Sequence, residues 1–430
     1  MYDLAIIGAG WAGFNAAIRA KSLGLKVALI EEASIGGTCL NSGCIPTKTL
    51  VQSAKILEIS RKTATFGIEA PAEPKFDFAQ IQLRKNKIIQ QLAKGMESRL
   101  SGIDYFSGRG RFLDNQRLKV NDQQLQSKFM LLAAGSRPVE LPGFPFDGKK
   151  IIPSQEALNL SKVPASLLII GGGVIGCEFA QIFSSLGSKV QVAELMPQLL
   201  PGADLEIAKK LEVVFKKKKI AVSTSIDAQT LDLNNFEQVL VCVGRKPYLE
   251  GLEVLGIATN KSGVIVDDYL RTSVENVYAA GDCTGKFMLA HYASYQGICA
   301  AENIAKPASP GKADNTIVPA CIFTSPEIAS VGLNEQQAVQ AGSKIKINKF
   351  DFLKSGMARI QDETEGFIKI ISEEKTGKLI GAHIIGPKAT ELISVFTLAM
   401  SSGLNIEQLK NTIFAHPTLS EAICEALEQG

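Results

Sequence analysis

The sequence predicts an α/β protein built from two similar strand–helix–strand units and a separate C-terminal α+β domain. A strand, a glycine-rich loop, a helix and a second strand follow one another over residues 2–30 and again over 166–193. From residue 317 this alternation gives way to strand-rich stretches at 317–332 and 345–385, with helices beyond them. A chain of 430 residues has room for two to four domains. The repeat and the later change of pattern therefore predict three domains.

The composition narrows the class of protein. The chain has 46 basic and 43 acidic residues, and a formal charge of +3 argues against a nucleic-acid-binding protein. The one basic run, Lys216 to Lys219, is interpreted as the solvated last turn of a helix. No apolar run reaches the roughly 18 residues of a membrane helix, and no signal peptide is evident before the first strand. We therefore expect a cytoplasmic protein, or an organellar one after processing, with no membrane partner.

Both units carry a glycine loop of the dinucleotide-binding type. In this template the first glycine makes a tight turn, the second admits a pyrophosphate and the third lets helix and strand approach closely. Each following strand ends in an acid, Glu31 or Glu194, 18 residues after the third glycine. A carboxylate at this position accepts hydrogen bonds from the ribose hydroxyls and repels a 2′-phosphate. The second site is therefore expected to bind NAD and not NADP. The residues predicted to bind dinucleotides through these units are Gly8, Gly10, Gly13, Glu31, Gly171, Gly173, Val174, Ile175, Gly176 and Glu194.

A cysteine pair, Cys39 and Cys44, follows the first acid directly. Residues five apart on a regular helix point in different directions, so a disulfide here requires an irregular helix start, which Gly43 and Pro46 make credible. Two free thiols or half of a zinc site are the alternatives, but no further ligands have suitable spacing and no metal is expected. The position beside a cofactor loop favours redox chemistry. The remaining cysteines are scattered singly and are interpreted as structural thiols: Cys177, Cys242, Cys283, Cys299, Cys321 and Cys424.

The stretch from Gly36 to Lys48 resembles the signature of the pyridine nucleotide-disulfide oxidoreductases, and the resemblance extends over nearly the whole chain. It includes the first glycine loop and the segments 133–136, 280–282 and 416–417. Within this family the segments 171–178, 381–387 and 415–421 most resemble the dihydrolipoamide dehydrogenases.

The resemblance implies FAD at the first site, NAD at the second and a role for each matching residue. It implies that Cys39 is the sulfur that exchanges with a dihydrolipoyl thiol and that Cys44 lies against the flavin as a charge-transfer thiolate. Lys48 would pair with Glu178 near flavin N5. Further positions matching the cofactor-binding segments of the family are Gly37, Thr38, Gly110, Ala134, Gly135, Ser136, Gly244, Asp282, Met288, Leu289, Ala290 and His291.

Dithiol oxidation also needs a base, and the chain has three histidines. Taken alone, His416 before Pro417 is more typical of a structural residue. The resemblance instead implies that His416, oriented by Glu421, completes the site of the other subunit of a homodimer.

The implied partner is the lipoyl domain of a 2-oxo acid dehydrogenase complex or of a glycine cleavage protein. The predicted domains are an FAD-binding domain of residues 1–145 and 264–312, an NAD-binding domain of residues 146–263 and a dimerisation domain of residues 313–430.

Other functions stay open at this point. Glutathione reductase-like enzymes prefer NADP and carry arginines where this chain has Glu194, and mercuric reductases carry a C-terminal cysteine pair where this chain has only Cys424. Soluble transhydrogenases lack one of the two signature cysteines. A flavin-binding scaffold or electron-transfer subunit without dithiol turnover is the alternative of another class.

Overall fold

The computed structural model describes residues 1–69, 71 and 74–429. In the first part of the chain the strands are β1 (Tyr2–Ile7), β2 (Val27–Glu31), β3 (Asp104–Ser107), β4 (Gly110–Phe112), β5 (Arg117–Val120), β6 (Gln123–Leu132) and β7 (Ser136–Pro138). The helices there are α1 (Trp11–Ser22), α2 (Gly37–Ser42), α3 (Cys44–Ser60) and α4 (Phe78–Arg99). The second part contains β8 (Ile151–Ile152), α5 (Ser154–Ala157), β9 (Ser166–Ile170), α6 (Val174–Ser185), β10 (Lys189–Ala193), α7 (Leu205–Lys217), β11 (Ala221–Ser223), β12 (Gln238–Val241) and β13 (Arg245–Pro247).

The chain then continues through β14 (Thr259–Asn260), β15 (Gly263–Val264), β16 (Val277–Ala279) and α8 (Ala290–Ala305). The last part contains β17 (Ala320–Ile322), β18 (Glu327–Gly332), α9 (Glu335–Gln340), β19 (Ile345–Asp351), α10 (Gly356–Ile360), β20 (Phe367–Glu373), β21 (Leu379–Gly386), α11 (Ala389–Ser401), α12 (Ile406–Lys410) and α13 (Glu421–Glu428).

The two predicted repeats form two separate open sheets. In the first, the strand order is β3-β2-β1-β6-β5-β4, and β16 pairs with β6 in parallel. In the second, the order is β11-β10-β9-β12-β8 and every pair is parallel. The central strands are continuous apolar runs because both faces of such a sheet are covered. The predicted α/β class with two Rossmann-like units is confirmed.

Helix α8 returns to the first sheet and packs against α1 with almost no side chain between the two backbones. A Cβ atom added to Gly297 would lie 2.1 Å from the carbonyl oxygen of Ala12. Only glycine permits this approach, which holds the late segment of the chain on the first unit.

A two-stranded antiparallel ladder joins the two units. Strands β7 and β13 pair Ser136 with Pro247 and Pro138 with Arg245. The N–H of Tyr248 donates to the carbonyl of Gly135 (3.0 Å) and continues the ladder beyond its end.

The C-terminal domain is an antiparallel sheet with helices, as predicted. Its strand order is β17-β18-β21-β20-β19, and α11 and α13 cover it with an apolar core that includes Phe352, Phe396 and Ile423. The three large sheets divide near the predicted boundaries at 145 and 312. Near 263 they do not, because β14 pairs with β15 across this residue and Leu252 and Ile257 belong to the apolar core of the first unit. The domain boundaries stay a proposal.

The basic run at the end of α7 is less solvated than predicted. Lys216 is exposed, but the half-buried Lys218 lies 3.0 Å from Glu58 and Lys217 pairs with Glu365. The run therefore joins the second unit to α3 and to the C-terminal domain. Within the part of the chain that the structure describes, no helix has the length and apolarity to cross a membrane.

Candidate active site

A cavity of about 430 Å³ lies at the carboxyl ends of β1, β2 and β6. Ligands of open parallel sheets bind at this edge, where the loops diverge. The predicted residues that line the cavity are Gly8, Gly10, Glu31, Gly37, Thr38, Gly110, Ala134, Gly135 and Ser136.

The first glycine loop has the geometry that the template requires. Gly8 adopts φ of +101°, and a Cβ atom on Gly13 would lie 1.8 Å from the carbonyl oxygen of Gly8. The Glu31 carboxylate accepts the N–H groups of Ala9 (2.7 Å) and Ala33 (2.9 Å). A carboxylate can accept about four hydrogen bonds, so Glu31 retains acceptor sites for ribose hydroxyls.

The second glycine loop repeats this geometry. Gly171 adopts φ of +107°, and a Cβ atom on Gly176 would lie 1.9 Å from the carbonyl oxygen of Gly171. The Glu194 carboxylate accepts the N–H groups of Gly172 (2.6 Å) and Met196 (2.7 Å). The two loops therefore hold their acids in the same way.

The second site is open at the positions where a dinucleotide would approach the backbone. A Cβ atom added to Gly173 or Gly244 would meet no protein atom within 4 Å. Val174, the first residue of α6, is 45% exposed, and Ile175 packs partly against the core of the unit.

The cysteine pair lies at a break between two helices, as predicted. Cys39 is in α2, Cys44 is the first residue of α3, and Gly43 between them has φ −141° and ψ −112°. A Cβ atom on Gly43 would lie 2.9 Å from the carbonyl oxygen of Thr38. Thr47 fixes the break because its hydroxyl donates to the carbonyl of Gly43 (2.6 Å).

The two thiols affect each other's acidity, and their pKa values shift in opposite directions. The hydrogen bond from Cys39 and the nearby charge of Lys48 lower the pKa of Cys44 to about 7, although burial and Glu178 act against them. The same hydrogen bond, together with burial, raises the pKa of Cys39. Cys44 is therefore the more acidic thiol of the reduced pair. Among the other cysteines, Cys177, Cys283 and Cys299 are buried and Cys242, Cys321 and Cys424 are half-buried.

Lys48 and Glu178 form a tight ion pair one turn after Cys44. The Lys48 ammonium lies 2.9 and 2.8 Å from the two Glu178 oxygens. Glu178 is only 3% exposed, and it also accepts the backbone N–H of Phe323 (2.9 Å). The ring of Phe323 lies 4.7 Å below the Lys48 ammonium. Side chains from all three sheet-bearing parts of the chain therefore meet beside the cysteine pair.

Asp282 is linked to the cavity through Ser136. The Ser136 hydroxyl donates to the Asp282 carboxylate (2.5 Å) and accepts from Arg245 Nε (2.8 Å). Arg245 also donates to the Ser136 carbonyl (2.6 Å), and burial lowers the pKa of its guanidinium. Sequence reasoning missed Arg245, although it lies in the Gly244–Pro247 turn that resembles the turn after β6.

In the predicted segment 288–291, Met288 and Leu289 precede α8, and Ala290 and His291 begin it. None of the four residues is in the lining of the cavity. His291 Nε2 lies 2.8 Å from the carbonyl oxygen of Pro319. His383 is buried against the carbonyl of Leu333 (3.0 Å), and burial lowers its pKa.

His416 and Glu421 form a pair on the surface of the C-terminal domain. The His416 Nδ1 atom lies 2.7 Å from Glu421, whose other oxygen accepts the N–H of Thr418 (2.7 Å). These two bonds lower the pKa of Glu421. The imidazole is 82% exposed, so a second molecule can reach it.

Five further residues line the mouth of the first cavity, and sequence reasoning missed all of them. Arg109 lies 3.0 Å from the Tyr248 hydroxyl, 3.5 Å from Glu250 and 3.8 Å from Glu32, and Arg137 also pairs with Glu250. We call these residues the rim cluster. It bridges the two dinucleotide-binding units, and only tertiary structure brings its members together.

Comparisons with known proteins show the family of the chain. A family model described as pyridine nucleotide-disulphide oxidoreductase matches residues 2–297, and the dimerisation domain of the same family matches residues 318–427. A dihydrolipoyl dehydrogenase of Bacillus subtilis is 38% identical over 99% of this chain and 97% of the relative. The dihydrolipoyl dehydrogenase of Chlamydia muridarum is 40% identical over 99% and 96%.

Two solved structures have nearly the same fold. LpdA from Mycobacterium tuberculosis superposes with a TM-score of 0.90 at 26% identity, covering 99% of each chain. The HOCl-induced flavoprotein disulfide reductase RclA from Escherichia coli gives 0.88 at 28% identity, again covering 99% of each chain.

Proposed function

The chain belongs to the pyridine nucleotide-disulphide oxidoreductase family, and we propose that it oxidises protein-bound dihydrolipoamide to lipoamide through the Cys39–Cys44 pair, with FAD and NAD. Its relatives of 36 to 40% identity over the full chain carry the name dihydrolipoyl dehydrogenase. The observation that carries the proposal is the cysteine pair at the Gly43 break, with the Lys48–Glu178 ion pair beside it.

The residues of the first cavity fit FAD. The carboxylate of Glu31 suits an adenosine ribose, and the N-terminus of α1 offers unpaired N–H groups to a pyrophosphate. A Cβ atom on Gly10 would meet only Gly37 Cα, at 4.0 Å, so backbone and phosphate can approach closely. Bound there, the flavin supplies a two-electron acceptor for the dithiol.

The chemistry begins with removal of a proton from the substrate dithiol. Because Nδ1 of His416 faces Glu421, Nε2 is the nitrogen that exchanges this proton. The substrate thiolate attacks Cys39, the Cys39–Cys44 bond breaks, and Cys44 leaves as a thiolate beside Lys48. A second substrate thiolate then releases Cys39 and closes the lipoamide disulfide.

The second site would hold NAD. Glu194 suits the ribose hydroxyls and opposes a 2′-phosphate, and the openness at Gly173 and Gly244 leaves room for the pyrophosphate. The match to the dimerisation domain and the exposure of His416 support a homodimer in which His416 reaches the cysteine pair of the partner subunit. The lipoyl substrate is proposed to be carried by a 2-oxo acid dehydrogenase complex or a glycine cleavage protein.

Steady-state turnover tests the proposal. Purified holoenzyme is assayed with dihydrolipoamide and either NAD or NADP, and with glutathione disulfide and NADPH. We expect turnover with dihydrolipoamide and NAD, and none in a Cys39→Ser variant. Preference for NADPH and glutathione disulfide would contradict the substrate proposal, and flavin-free protein would contradict the cofactor proposal.

A further inference from the structure

Phe323 brings the C-terminal domain into contact with the Lys48–Glu178 ion pair. It follows β17 directly, and its backbone N–H donates to a Glu178 oxygen (2.9 Å). The centre of its ring lies 4.7 Å from the Lys48 ammonium. A cation within about 6 Å of a ring centre is attracted to the negative face of the ring. One residue therefore contacts both members of the pair, the carboxylate through its backbone and the ammonium through its side chain.

The side chain of Lys48 does not by itself fix the position of its ammonium. A second cavity, of about 790 Å³, lies between α3, α7 and the C-terminal domain, and both Lys48 and Phe323 line it. The Lys48 side chain is 30% exposed, whereas Glu178 is buried. Glu327 and Glu391 line the same cavity, and an ammonium on a flexible four-carbon stem can turn toward such carboxylates. Solvent and these two acids therefore compete with Glu178 for the ammonium.

The position of this ammonium affects Cys44. Lys48 lies four residues after Cys44 on α3, and residues with this spacing share one face of a helix. In the proposed mechanism Cys44 leaves as a thiolate when the substrate attacks Cys39, and a nearby positive charge stabilises that thiolate. An ammonium that turned into the cavity would stabilise it less, because electrostatic attraction falls with distance and with the polarity of the medium.

We propose that Phe323 is a positioning residue that holds the Lys48 ammonium beside Cys44, with its ring as the contact for the cation and its N–H as the anchor of Glu178. The inference rests on the proposed function for its role in turnover. The contact itself is a property of the folded chain, and it can be tested without substrate.

The test measures how readily Cys44 becomes a thiolate in the holoenzyme. A Cys39→Ser background is used so that Cys44 titrates without a coupled thiol. Alkylation of Cys44 by iodoacetamide is followed against pH by mass spectrometry of its peptide.

Three changes at position 323 separate the π face of the ring from its bulk. Phe323→Leu removes the π face and Phe323→Tyr keeps it. Trifluorophenylalanine, introduced at this position by amber suppression, keeps the ring shape and weakens the π face. Phe66→Leu is the matched control, because Phe66 is 49% exposed and lies outside the lining of both cavities.

We expect the alkylation midpoint of Cys44 to rise by about half a pH unit in Phe323→Leu and in the trifluoro protein, a roughly threefold loss of thiolate at lower pH. Phe323→Tyr and Phe66→Leu are expected to keep the original midpoint. In a Lys48→Met background, Phe323→Leu is expected to cause no further rise, because the ring acts only through the ammonium.

An unchanged midpoint in Phe323→Leu would overturn the inference. A rise in Phe323→Leu without one in the trifluoro protein, or an equal rise in Phe323→Tyr, would also overturn it, because the π face would then have no effect. A rise of the same size in the Lys48→Met background would show that Lys48 does not transmit the effect, and the inference would fail. The trifluoro protein keeps the test decisive if Phe323→Leu does not fold. Since no dithiol or NAD is present, failure of the substrate assay leaves this result intact.

Discussion

The two glycine loops have almost the same geometry, but different parts of the chain surround them. In each loop the third glycine lies against the carbonyl oxygen of the first glycine. A Cβ atom added there would lie 1.8 Å from this oxygen at Gly13 and 1.9 Å from it at Gly176. The acids also match, because Glu31 and Glu194 each accept two backbone N–H groups. The surroundings differ. The first loop abuts α2 and lines a cavity, whereas beside the second Val174 is 45% exposed.

This difference indicates that the loop itself specifies only a dinucleotide. Whether the dinucleotide stays or exchanges depends on what is packed around the loop. The first site is lined by the rim cluster and by the first residues of α2, which suits the retained flavin of the proposed function. The second is open at Gly173, Val174 and Gly244, which suits the exchangeable NAD of the proposed function.

The strongest test of the comparison replaces the third glycine of each loop by alanine. The added Cβ atom would overlap a backbone oxygen in both, so the loop must move, and a displacement of this kind costs about 10²-fold in function. We expect Gly13→Ala to lose bound flavin, measured as flavin absorbance per protomer. We expect Gly176→Ala to keep its flavin and lose kcat/KM for NAD by about 10²-fold.

Gly95→Ala is the matched control for these two variants. Gly95 lies within α4, and a Cβ atom there meets nothing within 4 Å. Both flavin content and turnover are expected to stay unchanged in this control. Loss of flavin from both loop variants would contradict the assignment of different cofactors to the two sites.

A variant at His416 separates the function of the dithiol site from that of the two dinucleotide sites. In His416→Gln we expect dithiol turnover to fall by about 10² to 10⁴-fold, because general-base catalysis at the cysteine pair is lost. Reduction of an artificial electron acceptor by NADH needs only the two dinucleotide sites and is expected to continue at its original rate. Equal loss of both activities would place His416 in a structural role.

The acidity of Cys44 gives a smaller and pH-dependent effect. With a pKa of about 7, half of Cys44 in the reduced pair is a thiolate near pH 7, and the thiolate is lost as the pH falls below this value. Lys48→Met removes a positive charge that lowers this pKa and leaves the opposing charge of Glu178 in place. We expect the alkylation midpoint of Cys44 to move upward, toward the value of about 8.5 of a free cysteine. A midpoint that stays near pH 7 would show that Lys48 has no electrostatic effect on Cys44.

The smallest expected effect concerns the rim cluster. Its pairs are exposed, and exposed ion pairs contribute little each, so Glu250→Gln is expected to speed flavin dissociation by about threefold at low salt. The difference from wild type should shrink at high salt because the pairs are screened. Binding of NAD should be unchanged, since the cluster covers only the first cavity. A slower flavin dissociation would contradict the idea that the cluster closes the site.

The sequence pattern predicted those parts of the site whose residues lie close together in the chain. The loops, the acids at fixed spacing and the helix break at Gly43 follow from residues close together in the chain, and the structure contains each of them. The Lys48–Glu178 pair lies 130 residues apart and was expected only through the resemblance to a family. Phe323, Arg245 and the rim cluster could not be predicted, because neither spacing nor periodicity says which distant loops meet.

The β7–β13 ladder has a consequence for how the two nucleotides meet. The chain crosses from the first unit to the second at one strand and returns beside it, and the two strands are hydrogen-bonded to each other. The proposed hydride transfer would require the reacting atoms to lie within about 3 to 3.5 Å, which favours a constant distance between the two sites. Two hydrogen-bonded strands hold the two units at a fixed spacing, whereas a single linker would let that spacing vary. Under the proposed function, nicotinamide would therefore enter and leave its site without separation of the two units.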